Sequence, residues 1–332
     1  VLLEFDADQR LWQETVRDAV SKQCPASLVR GVAENGVDPT PLWKTYVDAG
    51  WTELSDAENA VELAIVLEEL GRATDPTPFL ATLTQFAPLA GDRFDPQQVG
   101  TAVYGGVAAH RDAEGWVLDG TARHVLDGDR ADRLAVVTEA GVFVVDAGQV
   151  SSRRSAVFDP VLHIAEVSFA DVRVPDTARM HVDAEKARHV ALTGLAITMV
   201  GACQRILDLA LEHVKQRQQF GVAIGSFQAV QHKAVDMHVA TERARALAYF
   251  AALTIAEDDP RRRLAAAMAK ASAGEAQAVV FRNGLQLFGA MGFTWENDLQ
   301  FALKRAKAGE HLLGGAAEHR AIIAEEFHAA DF

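Results

Sequence analysis

The sequence predicts a mainly α-helical α+β protein in three successive parts. These are an N-terminal helical domain (residues 1–97), a small antiparallel β-domain (98–178) and a C-terminal antiparallel helix bundle (179–332). Three observations predict it. Apolar residues recur at helical spacing before residue 95, short β-rich runs broken by Gly and Asp fill Gly100 to Pro175, and long helical runs return after Asp176.

The first part reads as helices at Gln9–Ser21, Pro41–Ala49 and Asn59–Leu70, the last closed by Gly71. There Val61, Ile65, Leu67 and Leu70 form an apolar stripe, and Glu62, Glu68 and Glu69 are expected to face away from it. The middle part offers strands at Trp116–Leu118, Leu134–Val137, Val142–Val145 and Ile164–Val174, with turn residues between them, as in a small barrel or sandwich. The last part holds four helical runs, Ala187–Gln216, Phe227–Ala256, Arg261–Phe288 and Trp295–Phe327. Breaks fall at Gly221–Gly225, Asp258–Pro260 and Gly289–Gly292. In the second run Val230, Ala234, Met237, Ala244, Leu247 and Ala251 share one face, expected to be core.

At 332 residues, 49% of them hydrophobic, the chain can bury a sizeable core. Its formal charge of −14 argues against nucleic acid or an anionic membrane as partner. Cys24 and Cys203 lack metal-ligand or redox spacing and read as two buried thiols in a reducing compartment. Val1 to Arg10 carries acidic residues and no long apolar run, and no later run approaches a membrane-spanning length, so a cytoplasmic protein is expected.

The chemistry-bearing stretch is Arg217-Gln218-Gln219-Phe220-Gly221, followed by Phe227-Gln228-Ala229-Val230-Gln231-His232. A guanidinium fork suits a pyrophosphate, an aromatic ring covers a flat ring system, Gly allows a tight reversal, and the Gln228 amide matches a purine edge. The plainer alternative is a helix–turn–helix with Arg217 on a solvated face near a helix C-terminus. A second segment, Gln286-Leu287-Phe288-Gly289-Ala290-Met291-Gly292-Phe293-Thr294, again places an amide one turn ahead of a glycine-rich bend.

Together these segments resemble the flavin-dependent acyl-CoA dehydrogenase family. Its pattern Arg-x-x-Phe-Gly, then Phe-Gln, then Gln before Gly-Gly-x-Gly maps to Arg217, Phe220, Gln228, Gln286 and Gly289. The resemblance implies that these residues bind the adenosine and pyrophosphate of an FAD held mainly by the neighbouring subunit. Val167 to Pro175 also looks like the last strand of the family's β-domain. The resemblance further implies an acyl-CoA substrate and an electron-transfer flavoprotein as acceptor.

The family's chemistry needs a carboxylate base beside the flavin. By resemblance, one family position for it falls on Leu313 or Gly314, within Leu312-Leu313-Gly314-Gly315-Ala316, and the other on Ala191. None of these takes up a proton. Glu185 reads as a solvated charge at a helix N-terminus, and Glu310 and His311 lie one turn from the first position. The family's flavin-ring contacts are replaced as well: Tyr104-Gly105-Gly106-Val107-Ala108-Ala109 stands for its first loop, and His124 and Leu126 stand where a Trp and a Thr would be. This combination resembles the shorter, base-lacking chain of heterotetrameric steroid-CoA dehydrogenases, in which active sites number half the subunits. The partner implied is a homologous catalytic chain that supplies the Glu and the flavin-ring contacts. A self-sufficient homotetramer with an unusual base such as Glu310, or a non-catalytic assembly or regulatory homologue, are the alternatives.

Overall fold

The computed structural model describes residues 4–328. Along the chain run α1 (Ala7–Gln23), α2 (Ala26–Asn35), α3 (Thr40–Asp48) and α4 (Ala60–Ala73), then α5 (Phe79–Ala81) and α6 (Ala87–Ala90) joined by a π-helical turn at Thr82–Phe86. Strands β1 (Gly100–Tyr104), β2 (Val107–Arg111), β3 (Trp116–Leu126), β4 (Arg133–Thr138), β5 (Gly141–Asp146), β6 (Ser151–Arg154), β7 (Ile164–Val174) and β8 (Arg179–Met180) follow. After them come α7 (Ala184–Gln216), the short β9 (Gln218–Gln219) and β10 (Val222–Ala223), α8 (Gln228–Ala256), α9 (Arg262–Phe288), α10 (Leu299–His311) and α11 (Ala316–Glu326). Packing divides the chain into two compact units, one of residues 1–37, 57–75 and 192–332, the other of 38–56 and 76–191.

The first unit is helical. A capping box starts α1: Gln9 N–H donates to the Asp6 carboxylate at 2.8 Å, and the Asp6 N–H donates back to the Gln9 side chain. Glycines let α4 and α7 cross closely. A Cβ on Gly71 would lie 2.2 Å from the Thr198 carbonyl oxygen, and one on Gly201 would lie 2.0 Å from that of Glu68. The crossing also corrects the expected outward face of α4. Glu68 and Glu69 are only 2% and 3% exposed, because each is met by cations inside the protein. Glu68 accepts from Arg245 Nε at 3.0 Å and from the Tyr249 hydroxyl at 2.9 Å, and Glu69 from Arg17 at 2.7 Å.

On α8, Met237, Ala244 and Ala251 are buried as expected, whereas Val230, Ala234 and Leu247 are half-buried and Val235 and Val239 are exposed. The core face is therefore narrower than the apolar stripe. The run read as one helix from Trp295 to Phe327 is two, α10 and α11, parted at Leu312–Gly315, where Leu313 and Gly314 adopt positive φ. Helix α7 is long and apolar enough to cross a membrane, contrary to the sequence expectation, but 83% of its apolar window is buried inside the protein.

The second unit is a sandwich of two four-stranded sheets ordered β1-β4-β5-β8 and β2-β3-β7-β6. Val103, Leu134, Val136, Phe143 and Val145 of the first sheet meet Leu118, Val125, Val167 and Phe169 of the second in one core. The first sheet's other face, with Ala102, Ala135, Val142 and Val144, packs on Phe86 and Leu89. Burial on both faces explains why Leu134–Val137 and Val142–Val145 read as unbroken apolar runs. All pairings are antiparallel except β1 with β4, which are parallel because the chain visits the other sheet between them. β1, β2, β6 and β8 escaped the sequence reading; β6, Ser-Ser-Arg-Arg, is wholly exposed and carries no apolar signal.

Candidate cofactor-binding edge

The five predicted residues meet at one end of the helical unit. Where α7 stops, the Arg217 N–H donates to the His213 carbonyl, and the Arg217 carbonyl accepts from Ile224 N–H, both at 2.8 Å. Between them β9 and β10 pair antiparallel, Gln219 opposite Val222, around a two-residue reversal in which Phe220 and Gly221 have φ of 54° and 80°. Positive φ is easy for Gly221 but strained for Phe220, by roughly 1–3 kcal/mol. The Phe220 ring is 93% exposed and meets Phe227 edge-on at 6.1 Å. Gln228 opens α8. The end of α9 is tied to the end of α7 by the His213 ring, stacked on Phe288 at 4.3 Å. Val214, Leu287 and Phe288 share a core with Ile224 and Val230. This places Gln286 and Gly289 (φ 59°) beside the hairpin.

Arg217, Phe220, Gln228, Gln286 and Gly289 are all exposed. Among the described residues the side chains of Arg217, Gln228 and Gln286 have no hydrogen-bond or ion-pair partner. Burial, and then the charge of Arg217, lower the pKa of His213, so the imidazole stays neutral next to that cation. The exposed set is therefore a guanidinium, two amides, one aromatic face and the opening N–H groups of α8, which together suit a phosphate-linked ring system brought from outside. Val222, Phe227, Met291, Phe293 and Trp295 add an exposed apolar fringe.

Where the resemblance places one position of the family's base, at Leu313–Gly314, the structure builds braces. Leu313 has φ 55° and Gly314 φ 95°. Lys270 of α9, 0% exposed, donates to the carbonyls of Gly314 at 2.6 Å and Glu310 at 3.2 Å. Burial pushes its pKa down to about 8, against the opposing charges of Glu310 and Glu318. His319 lies 3.1 Å from the Leu313 carbonyl, and Glu318 accepts from Gly315 N–H at 3.1 Å. Glu310 accepts from the first N–H of α11, that of Ala316, at 3.0 Å, and its other oxygen is packed against Gly274. His311 and Glu185 are exposed and Ala191 is fully buried. Glu310 thus caps a helix, a role the sequence reading missed along with Lys270, whose only signal was a lone Lys within the Ala-rich run of residues 265–273.

In the β-sandwich, Tyr104-Gly105-Gly106 is a tight β1–β2 turn with both glycines at positive φ. The Tyr104 ring lies under the Arg188 guanidinium at 5.6 Å, and its buried hydroxyl has no hydrogen-bond partner among the described residues. His124 projects from a bulge in β3 at φ 61°, and Leu126 is 4% exposed, filling the core instead of offering a hydroxyl.

The family model for "Acyl-CoA dehydrogenase, C-terminal domain" matches residues 184–328. The chain is 30% identical over 339 residues to "Acyl-CoA dehydrogenase IpdE2" of Mycolicibacterium smegmatis, covering 96% of this chain and 99% of that protein. This chain belongs to the acyl-CoA dehydrogenase family. Among solved structures it is similar to a chain of the ChsE4–ChsE5 complex from Mycobacterium tuberculosis, with a TM-score of 0.89, 22% identity and 99% of both chains covered. It is also similar to a chain of the Tcur3481–Tcur3483 steroid acyl-CoA dehydrogenase variant, with a TM-score of 0.86, 25% identity and 98% of both chains covered. The acyl-CoA dehydrogenase homologue thus keeps the family's order of helices, β-domain and helices, and its exposed edge falls inside the matched C-terminal domain.

Proposed function

We propose that this chain is a non-base-bearing subunit of a heteromeric FAD-dependent acyl-CoA dehydrogenase that desaturates a bulky acyl-CoA such as a steroid side-chain thioester. One observation carries the reading: Arg217, Phe220, Gln228 and Gln286 stand exposed while both family positions for the base hold Leu313–Gly314 and Ala191. In this reading residues 179–332 contribute the adenosine and pyrophosphate side of the site. Arg217 and the free N–H groups of α8 hold the phosphates, Phe220 covers the adenine, and Gln228 and Gln286 read its edges. When bound, FAD supplies the acceptor for the hydride leaving the carbon β to the thioester. The homologous partner contributes the carboxylate that removes the α-proton and the contacts to the flavin ring, and an electron-transfer flavoprotein takes the electrons onward. A steroid thioester and a two-chain assembly are supported by the similarity to a chain of the Tcur3481–Tcur3483 steroid acyl-CoA dehydrogenase. The two buried thiols suit a cytoplasmic setting.

The test is Arg217→Ala in the complex co-purified with its partner. A charge-assisted phosphate contact is worth about 1.5–3 kcal/mol, so FAD should dissociate roughly 10- to 150-fold more readily. Full flavin retention on dilution, with unchanged turnover, would show that this helix end does not hold the pyrophosphate.

A further inference from the structure

The helical unit contains a partly enclosed cavity of about 230 Å³, apart from the exposed cofactor edge, between α1, α2, the end of α4, α7 and α10. Its lining includes the apolar Val20, Val29 and Phe301 and three arginines, Arg17, Arg72 and Arg205. Every carboxylate at or beside this lining is already engaged. Glu69 accepts from Arg17 at 2.7 Å and lies 3.8 Å from Arg72, and Asp298 accepts from Arg30 at 2.7 Å. Asp208, next to the wall, uses one oxygen for Arg72 and the other for Gln204, at 2.7 and 2.8 Å. Arg205 is half-buried and has no hydrogen-bond or ion-pair partner among the described residues. Of the three lining arginines, Arg205 is therefore the one that no carboxylate meets among the described residues, in a chain whose formal charge is −14. An unmatched guanidinium in a lining that also holds apolar residues is complementary to an anion with a hydrocarbon body.

We infer that this cavity binds a short-chain monocarboxylate, its carboxylate on Arg205 and its hydrocarbon against Val20, Val29 and Phe301. The size agrees: the cavity offers the liquid volume of about seven or eight waters, enough for the six heavy atoms of butyrate. A monocarboxylate engages the unpartnered Arg205 guanidinium and sets its hydrocarbon against the apolar lining residues, whereas a phosphate leaves those residues uncovered.

Isothermal titration of the full chain with butyrate, butyramide and inorganic phosphate tests this. Saturable butyrate binding is expected, with no saturable heat from butyramide or phosphate. Arg205→Met should weaken butyrate at least about tenfold, the loss of one charge-assisted contact. Ser21→Trp, at an exposed position on the rim, should block the cavity while leaving Arg205 in place. It carries the test by itself if Arg205→Met does not fold. The inference is overturned if wild-type protein shows no saturation up to about 20 mM butyrate, where a millimolar site fills. It is equally overturned if phosphate or butyramide binds as well as butyrate, or if a folded Arg205→Met or Ser21→Trp protein binds butyrate unchanged.

Discussion

Lys270→Met separates the burial of a charge from the bonds that charge makes. Lys270 is 0% exposed, donates to the carbonyls of Gly314 and Glu310, and titrates at about 8 in the folded protein against 10.5 as a free side chain. Below pH 8 it is protonated whether folded or not, and the burial penalty is constant. Between about 8 and 10.5 the unfolded chain holds the proton and the folded chain does not, so stability rises with pH. The rise is about 1.4 kcal/mol per unit, roughly 3 kcal/mol over the window. In Lys270→Met two carbonyls lose their donor, at about 1–3 kcal/mol each, offset by relief of the buried charge, so near pH 7 the two proteins should lie within about 3 kcal/mol. The assay is urea denaturation of both proteins from pH 7 to 10, taking the difference at each pH so that other titrations cancel. The wild-type advantage should grow with pH. A flat or falling difference would refute a buried, depressed lysine bracing the Leu312–Gly315 turn.

Other outcomes follow from the same packing. Arg245→Met should cost about 3–5 kcal/mol by stranding buried Glu68, and Glu68→Leu added to it should recover most of that loss; additive losses in chemical denaturation would rule out the pair. Gly201→Ala should lower stability by about 1–3 kcal/mol or more, because its Cβ would lie 2.0 Å from a backbone oxygen of α4, and an unchanged denaturation midpoint would contradict the close crossing. Cys203, pushed up to about 12 by burial, and Cys24, raised by burial and then by Asp75, should resist a thiol reagent at pH 8 until the chain is denatured; rapid labelling of the native protein would contradict their burial.

Local signals made the long helices and the hairpin after α7 legible, because helical periodicity, the Arg-x-x-Phe-Gly pattern and the glycine bend after Gln286 are all short-range. Long-range pairing hid the rest. Glu68 and Glu69 look solvated until Arg245, Tyr249 and Arg17 arrive from distant segments. Lys270 and Glu310 reveal their roles only when α9 meets the turn before α11. β1 and β8 are short and find their partners across the sandwich, and β6 is an exposed edge with no apolar residue. Leu312–Gly315 falls inside one helical run in the sequence pattern, yet it ends α10, and Gly314-Gly315 is a stop signal in its own right.

Division of labour between unlike chains is tested most directly by FAD stoichiometry and turnover, measured on this chain alone and after co-purification with a homologous chain that carries the family Glu. Little flavin and no turnover are expected of the chain alone, then one FAD per two chains and full activity in the complex. In that complex Glu310→Gln, Glu185→Gln and His311→Ala should each change turnover by less than about tenfold, or ~1.4 kcal/mol of barrier. A stable homotetramer of this chain with one FAD per chain, whose turnover collapses in Glu310→Gln with flavin retained, would contradict it.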